Sequence, residues 1–352
     1  MVRRLPTLAL LAGLILLAAL IGSTFSRSGQ LDVTTGLVQM CIVLAIYAFI
    51  GVTGVFSFGH VGFVAVGAYL SGLLAVPLTQ KELLYPDLPG FLGTAELDPL
   101  LAVVAGGAAA AVVGLMLAPA FGRLSGLSAA LATFAMLVIV QVVGRNWEDV
   151  TRGTKGLLGV PKETTLWGAA TWAIVCLVIV FVFQGSRIGL QLRAAREDEV
   201  AARAMGIHVG LLRGLALILS AFIAGVAGGI YGQSLGSFNP DVFYLDLTFL
   251  TLAMLVVGGV NSLSGAVIGT LILTFLAQWL RDVEASLDRP GLTEVCFALI
   301  LILILALRPS GITGGKELSL PLSLSRRRRS SAPAAPSGGA PGASDPGAPS
   351  GP

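Results

Sequence analysis

The sequence predicts an all-α, polytopic membrane protein with about ten transmembrane helices, and three observations lead to this prediction. Hydrophobic residues make up 55% of the 352 residues and charged residues only 12%, with a mean hydropathy of +0.89. These values lie well outside the range of soluble globular domains. Uncharged apolar runs of about 18 residues or more recur along the chain, each long enough to cross a hydrocarbon core of about 30 Å as a helix. The 45 glycines suit helices that approach each other closely in a bilayer.

The expected spans follow the apolar runs. The first run, which comes after Arg3 and Arg4, has the charge pattern of a signal peptide. It lacks a clear small-residue cleavage site, so we interpret it as a membrane helix. The eighth and ninth runs are short and interrupted by glycine, and their boundaries are soft. The predicted spans are roughly 5–22, 36–56, 58–80, 100–120, 124–143, 165–183, 213–235, 246–261, 264–280 and 293–307.

The distribution of charge predicts the orientation. If the N-terminus is cytoplasmic and ten helices alternate, most Lys and Arg residues fall on the cytoplasmic side and most Asp and Glu residues fall outside. This is the positive-inside bias of membrane proteins, and it places both termini in the cytoplasm. The segments 81–99 and 144–164 are then external loops, whereas 187–213 is cytoplasmic.

Residues that could carry chemistry are scarce. The cysteines (41, 176 and 296) lie far apart inside apolar runs, where we interpret them as small core residues without metal-site spacing. The spans hold almost no ionisable side chains apart from His60. This argues against an enzyme, so no catalytic and no metal-binding residues are predicted. It also argues against a carrier driven by an ion gradient, although an ion-coupled or facilitative small-solute carrier is kept as the alternative function.

The composition changes abruptly near Gly314. We therefore expect a transmembrane domain over 1–313 and a disordered cytoplasmic tail over 314–352, which is rich in Pro, Ala, Gly and Ser. The arginine run 326–329 suits anionic lipid headgroups, or serves simply as a positive anchor after the last helix. Neither nucleotide-binding nor nucleic-acid-binding motifs are predicted. The glycines of 153–159 follow no strand and precede no Lys-Ser/Thr pair.

The stretch REDEVAARAMG, 196–206, is unusually charged for this chain. A continuous helix over 192–206 would place its alanines and Met205 on one side. Its charged residues Arg196, Glu199 and Arg203 would lie on the opposite side, with i,i+4 pairs Arg193–Glu197 and Glu199–Arg203. Gly206 is expected to end the helix. A cytoplasmic helix with such a small-residue face suits docking against another protein; the alternative is a solvated connection between two spans.

Positions 189–232 resemble the cytoplasmic coupling segment of bacterial ABC-transporter permeases, and more narrowly the branched-chain amino acid permeases of the LivM/LivH type. The segments 51–72 and 153–161 also resemble this family and favour its LivM-like members. The general ABC-permease loop has Glu before Ala-Ala, where this chain has Val200. By this resemblance, the residues expected to couple to an ATPase are Arg193, Arg196, Glu197, Glu199, Ala201, Ala202, Arg203 and Gly206.

The resemblance implies the permease subunit of an ATP-driven importer in the bacterial cytoplasmic membrane. Its partners would be ABC ATPase subunits, a homologous second permease subunit, an extracytoplasmic solute-binding protein and membrane lipids. ATP would be used by the ATPase partner, and no cofactor would be bound by this chain. The solute would be a branched-chain amino acid, with other amino acids, amides and urea left open.

Two glycine-rich stretches interrupt the apolar pattern and share the sequence Gly-Val-x-Ser, at 54–57 and 259–262. Broken helices expose backbone N–H and C=O groups, which can face a zwitterionic solute where they line a cavity. The alternatives are that the glycines only permit close helix packing and that His60 is a hydrogen-bonded structural residue. The predicted solute-path residues are Ser57, Phe58, Gly59, His60, Gly62, Asn261 and Ser262.

Overall fold

The computed structural model describes residues 5–86, 88–287, 291–308 and 311–314, which belong to one compact unit, Met1–Ser319. These residues form helices joined by turns, with one isolated β-bridge between Leu157 and Phe238. The all-α prediction is confirmed. In chain order the helices are α1 (Leu5–Ser23), α2 (Arg27–Thr53), α3 (His60–Ala75), α4 (Leu78–Leu84), α5 (Gly90–Gly93), α6 (Pro99–Phe121), α7 (Gly126–Asn146), α8 (Glu148–Thr151), α9 (Leu166–Gly185), α10 (Arg187–Glu197), α11 (Glu199–Ala204), α12 (Val209–Leu235), α13 (Leu245–Gly258), α14 (Leu263–Leu287) and α15 (Leu292–Leu307).

Eight helical segments of the described chain are long and apolar enough to cross a membrane. They are α1, α2, α6, α7, α9, α12, α14 and the segment Pro240–Gly258, which contains a 3₁₀ turn and α13. A ninth results if α3 and α4 count as one span. The chain is therefore a multi-pass membrane protein. Two of the ten expected spans correspond to α3 and α15. These helices have only 16 residues each and are not among the eight.

The third expected span, 58–80, is not one straight helix. α3 ends at Ala75, and the chain bends by 111° before α4. Val76 is extended (φ −65°, ψ 129°) and precedes Pro77. The proline ring clashes with a helical conformation of the preceding residue, so the helix stops although the apolar run continues.

The centre of the bundle is formed by α2 and α12. Every residue of α2 from Gly36 to Thr53 is buried, and α12 packs against α2, α3 and α6. Ser220 Oγ of α12 donates a hydrogen bond to the Ala45 carbonyl of α2 at 2.9 Å. Gly228 of α12 lies directly on α3, because a Cβ atom at this position would be 2.0 Å from Val64 O. Small residues thus bring the backbones into contact, as the glycine content predicts.

The outer helices α1, α6, α7 and α9 are only partly buried. They expose large apolar side chains such as Leu16, Met116 and Leu131, which is the surface expected against lipid or another membrane subunit. The predicted tail, 314–352, lies outside the described residues except for Gly314.

Candidate coupling segment and helix breaks

The predicted coupling segment, 187–213, forms two short helices, and the expected continuous helix over 192–206 is wrong. Asp198 separates α10 from α11 and has an extended backbone (φ −148°, ψ 103°). Its carboxylate accepts a hydrogen bond from the Ala201 amide at 2.9 Å. Aspartate favours this N-cap position because it satisfies an amide that the helix leaves unpaired. Gly206 follows α11 with φ +82°, so the predicted glycine stop is confirmed.

The turn at Asp198 separates the alanines that a continuous helix would group. Ala195 and Ala202 are buried and pack together against the first turn of α12. Ala201 is exposed, as are Val200 (80%) and Met205 (82%). We call these three residues the docking patch. Exposed apolar side chains grouped in this way are typical of a protein contact surface, but the patch differs in membership from the predicted alanine face.

Glu199 ties α11 to α12. Its carboxylate accepts hydrogen bonds from Arg203, at 2.5 Å, and from Arg213 Nη2, at 2.9 Å. The predicted Glu199–Arg203 pair is therefore confirmed. Burial alone raises the pKa of the Glu199 carboxyl, but the hydrogen bonds and charges of Arg213 and Arg203 outweigh it and hold the pKa below its ordinary value. The Arg213 side chain is only 7% exposed, so its charge needs this carboxylate partner.

The predicted Arg193–Glu197 pair does not form. The Arg193 guanidinium turns back and donates to the Gln184 carbonyl near the end of α9. Glu197 pairs instead with the adjacent Arg196, at 3.1 Å. Arg193 and Glu197 thus make contacts with other residues than the i,i+4 spacing predicts.

Arg196 connects the coupling segment to both predicted solute-path stretches. Its Nη1 donates to Gly51 O at the end of α2, at 2.8 Å, and to Asn261 Oδ1 between α13 and α14, at 3.1 Å. Gly54 ends α2 with φ +73°, and a Cβ atom there would lie 2.3 Å from Arg196 Cγ. The sequence pattern separates coupling residues and path residues into two sites, whereas the structure joins them through one side chain.

The first break, between α2 and α3, contains a buried hydrogen bond. Ser57 Oγ lies 2.8 Å from His60 Nδ1, and both side chains are at most 2% exposed. The His60 ring lies against Phe49 and Phe63, with centroids 5.3 and 6.0 Å away. His60 is therefore a packed and hydrogen-bonded residue at the start of α3, which agrees with the structural alternative considered for it.

The other residues of this break contact α7. The Phe58 amide donates to Thr133 Oγ1 at 3.1 Å. A Cβ atom on Gly59 would lie 2.4 Å from Thr133 O, and one on Gly62 would lie 3.4 Å from the end of Met136. The glycines let the broken segment lie directly on the backbone of α7.

The second break, between α13 and α14, is closed by the chain that follows α15. Asn261 is exposed, whereas Ser262 is buried. Ser262 Oγ lies 2.8 Å from Thr313 Oγ1 and accepts from the Gly265 amide at 3.0 Å. Thr313 Oγ1 also donates to Gly258 O at 2.8 Å. These hydrogen bonds satisfy the Ser262 hydroxyl and the Gly265 amide within the protein.

Three partners in these contacts were not predicted from the sequence, namely Thr133, Arg213 and Thr313. Thr133 and Thr313 lie far along the chain from the breaks that they contact. The position of Arg213 at the start of a predicted span could have indicated a contact, since a basic residue there needs a partner. The role of the two breaks in a solute path stays a prediction.

Residues 31–306 match the family described as the permease component of branched-chain amino acid transport systems. The chain belongs to this permease family. LivM of Escherichia coli (strain K12), a high-affinity branched-chain amino acid transport system permease protein, is 25% identical over 81% of this chain and 70% of its own length. LivH of the same organism is 35% identical over 44% of this chain and 48% of LivH. BraD of Pseudomonas aeruginosa is 32% identical over 41% and 46% of the two chains. No solved structure matches the chain.

Membership of this permease family confirms the predicted function class, a permease component of branched-chain amino acid transport. These relatives are transport components and not enzymes. The match to LivM covers far more of this permease than the match to LivH, in agreement with the LivM-like prediction. The matched range includes both helix breaks and the whole coupling segment. It ends before residues 311–314, which contact the second break.

Proposed function

We propose that this permease is the membrane subunit of an ATP-driven ABC importer for branched-chain or related amino acids. It lies in the bacterial cytoplasmic membrane with both termini in the cytoplasm, and a homologous second permease subunit shares the solute pathway. Separate ABC ATPase subunits hydrolyse ATP, and an extracytoplasmic solute-binding protein delivers the solute. The observation that supports this proposal best is Arg196, since it links the coupling segment to both helix breaks.

The contacts provide two routes by which an ATPase subunit acts on the membrane helices. An ATPase bound at the docking patch moves α11, and the Glu199–Arg213 ion pair carries this motion to the central helix α12. The same motion shifts α10, whose Arg196 holds the end of α2 and the turn before α14. A conformational change can be transmitted in this way only through elements that have two discrete arrangements. The two helix breaks are the places where such a rearrangement interrupts the fewest helical hydrogen bonds.

The substitution Ala201→Trp is expected to abolish ATP-driven leucine uptake without preventing membrane insertion. Ala201 is an exposed member of the docking patch, so the large ring should block a close contact without entering the packed interior of this chain. Uptake of labelled leucine should be measured together with the amount of the permease in purified membranes.

Ser125→Trp is a suitable control, because Ser125 is exposed in the turn before α7, on the same predicted side of the membrane. It should leave uptake near normal. Normal uptake by the Ala201→Trp variant would exclude the docking patch as the ATPase contact.

The proposed orientation is tested by reporter fusions. A reporter placed after Arg203 should be cytoplasmic and one placed within 85–95 should be external, because three long helices (α6, α7 and α9) lie between these points. Paired alkaline phosphatase and green fluorescent protein fusions distinguish the two sides. Finding both positions on one side of the membrane would contradict the proposed topology.

A further inference from the structure

A cavity of about 290 Å³ lies between α3 and α7, at the end of the bundle opposite the coupling segment. It is bordered by the predicted external loops, through Leu92 of one and Val150 and Thr151 of the other. We call it the outer cavity. Its volume is at the lower limit of small-molecule sites, which commonly measure about 300–1,000 Å³, and is thus suited to a solute as small as an amino acid.

The wall of the outer cavity is almost entirely apolar. One face of α3 supplies residues at successive helical turns, and α7 supplies the opposite face. Phe243 completes the wall and is held edge-on by Phe238, with ring centroids 5.2 Å apart. The apolar lining includes Ala65, Val66, Leu70, Leu73, Val140 and Val143. A branched aliphatic side chain is the kind of group that such a wall binds favourably.

An ion pair, Arg145–Asp241, lies behind the lining residue Gln141. Gln141 lines the cavity and donates from Nε2 to Asp241 Oδ1 at 2.7 Å. Arg145 donates to the same oxygen, from Nε at 2.9 Å and from Nη2. The other carboxylate oxygen of Asp241, Oδ2, accepts no hydrogen bond from the described residues. Asp241 and Arg145 do not line the cavity themselves. Asp241 lies directly behind Gln141, and the two residues follow the lining residues Pro240 and Gly144 in the chain.

Tyr69 adds an unused hydroxyl group. It lines the outer cavity and is only 9% exposed, and its hydroxyl has no hydrogen-bond partner among the described residues. Its ring is fixed between Phe238 and Phe243, at 5.2 and 6.3 Å. A buried hydroxyl without a partner destabilises the folded protein, and a bound ligand that accepts or donates a hydrogen bond would remove this cost.

We infer that the outer cavity is the solute site of this permease and takes an amino acid with an aliphatic side chain. The side chain lies against the wall formed by α3 and α7. The carboxylate accepts a hydrogen bond from the Tyr69 hydroxyl, which lines the cavity, and the ammonium group is directed towards Gln141 and the Asp241 carboxylate behind it. This inference rests on the proposed function, and it places the solute in the external half of the protein, before the helix breaks.

The test is protection of single cysteines from a membrane-impermeant maleimide, in intact cells that express the complete transport system. Val143→Cys places a thiol in the wall of the outer cavity. We expect this thiol to be labelled from outside, and leucine to slow the labelling at least several-fold. Glutamate should not slow it, because a charged side chain does not suit the apolar wall. Cys41 and Cys176 are buried and Cys296 is partly buried, so the parent chain provides the background.

Val142→Cys is the matched control. It occupies the position of α7 directly before Val143 and is 50% exposed, but it does not line the cavity, so leucine should not alter its labelling. Val140→Cys provides a second cavity position if Val143→Cys is poorly inserted. Tyr69→Phe should raise the leucine concentration for half-maximal uptake about tenfold, since a site that hydrogen-bonds its ligand discriminates strongly when one group is lost.

The outcomes separate this inference from the proposed function. If the complete system with the unsubstituted permease takes up no leucine, the proposed function itself is contradicted. Normal uptake without leucine protection at Val143→Cys and Val140→Cys would overturn the solute site. Absence of labelling in the complete system, with labelling when the permease is expressed alone, would show that the cavity is not open from the external side in the assembled transporter and would also overturn the solute site.

Discussion

Arg196→Ala should reduce ATP-driven leucine uptake by roughly tenfold or more, since coupling between two sites is typically worth about 1–3 kcal/mol. The substitution removes the donor to Gly51 O and Asn261 Oδ1, so that motion of α10 no longer reaches the two breaks. Uptake should be measured beside ATP hydrolysis by the assembled transporter. We expect hydrolysis to continue while transport falls, because the docking patch is unchanged.

Two companion variants sharpen this prediction. Asn261→Ala removes one of the two Arg196 contacts and should have a smaller effect than Arg196→Ala. Arg123→Ala removes a positive charge from an exposed turn of the same end of the bundle and should transport normally. If Arg196→Ala and Arg123→Ala transport equally well, Arg196 contributes only surface charge.

Gly228→Ala should lower the thermal stability of the permease markedly, although alanine is the better helix former. The new methyl group would lie 2.0 Å from Val64 O and 2.8 Å from the carbonyl carbon of the same residue. These are backbone atoms, so α3 and α12 must separate. Overpacking of this kind typically costs about 1–3 kcal/mol of the free energy of unfolding. The fraction that remains monodisperse after heating in detergent provides the measurement.

Gly13→Ala is the same substitution in a helix interior with open space around it, since the new methyl group would meet no atom within 4 Å. Here only the helix propensity changes, by about 1 kcal/mol in favour of alanine. The two variants should therefore shift the unfolding temperature in opposite directions. Equal shifts would mean that backbone contact between α3 and α12 does not limit stability.

Hydropathy predicts the long helices of this permease well because a membrane span is a property of about 20 residues taken together. The ends of α6, α7 and α9 each lie within three residues of the predicted bounds. Local chemistry decides the rest. Pro77 bends the third apolar run, and Asp198 divides the coupling segment, although both residues were visible in the sequence. Each acts through one backbone position, which an average over a window does not register.

The sequence indicated candidate residues but not the contacts between them. The charge of 196–206 and the family resemblance led to the predicted coupling residues, and the broken apolar pattern led to Asn261. Their contact through Arg196 joins positions 65 and 145 residues apart, and no local pattern encodes such a pair. The outer cavity was missed for the same reason, since its wall combines ordinary apolar residues from several helices.

The shortness of α3 reduces the distance over which a solute meets apolar surroundings. Sixteen residues rise about 24 Å, and tilting the helix can only shorten this height further. The hydrocarbon layer is about 30 Å thick, so α3 alone is too short to cross it. The electrostatic penalty for moving a zwitterion falls as the low-dielectric layer becomes thinner. The Ser57–His60 break before α3 and the bend at Pro77 beyond it therefore bring two interruptions of the helical backbone to within about 24 Å of each other along this part of the permease.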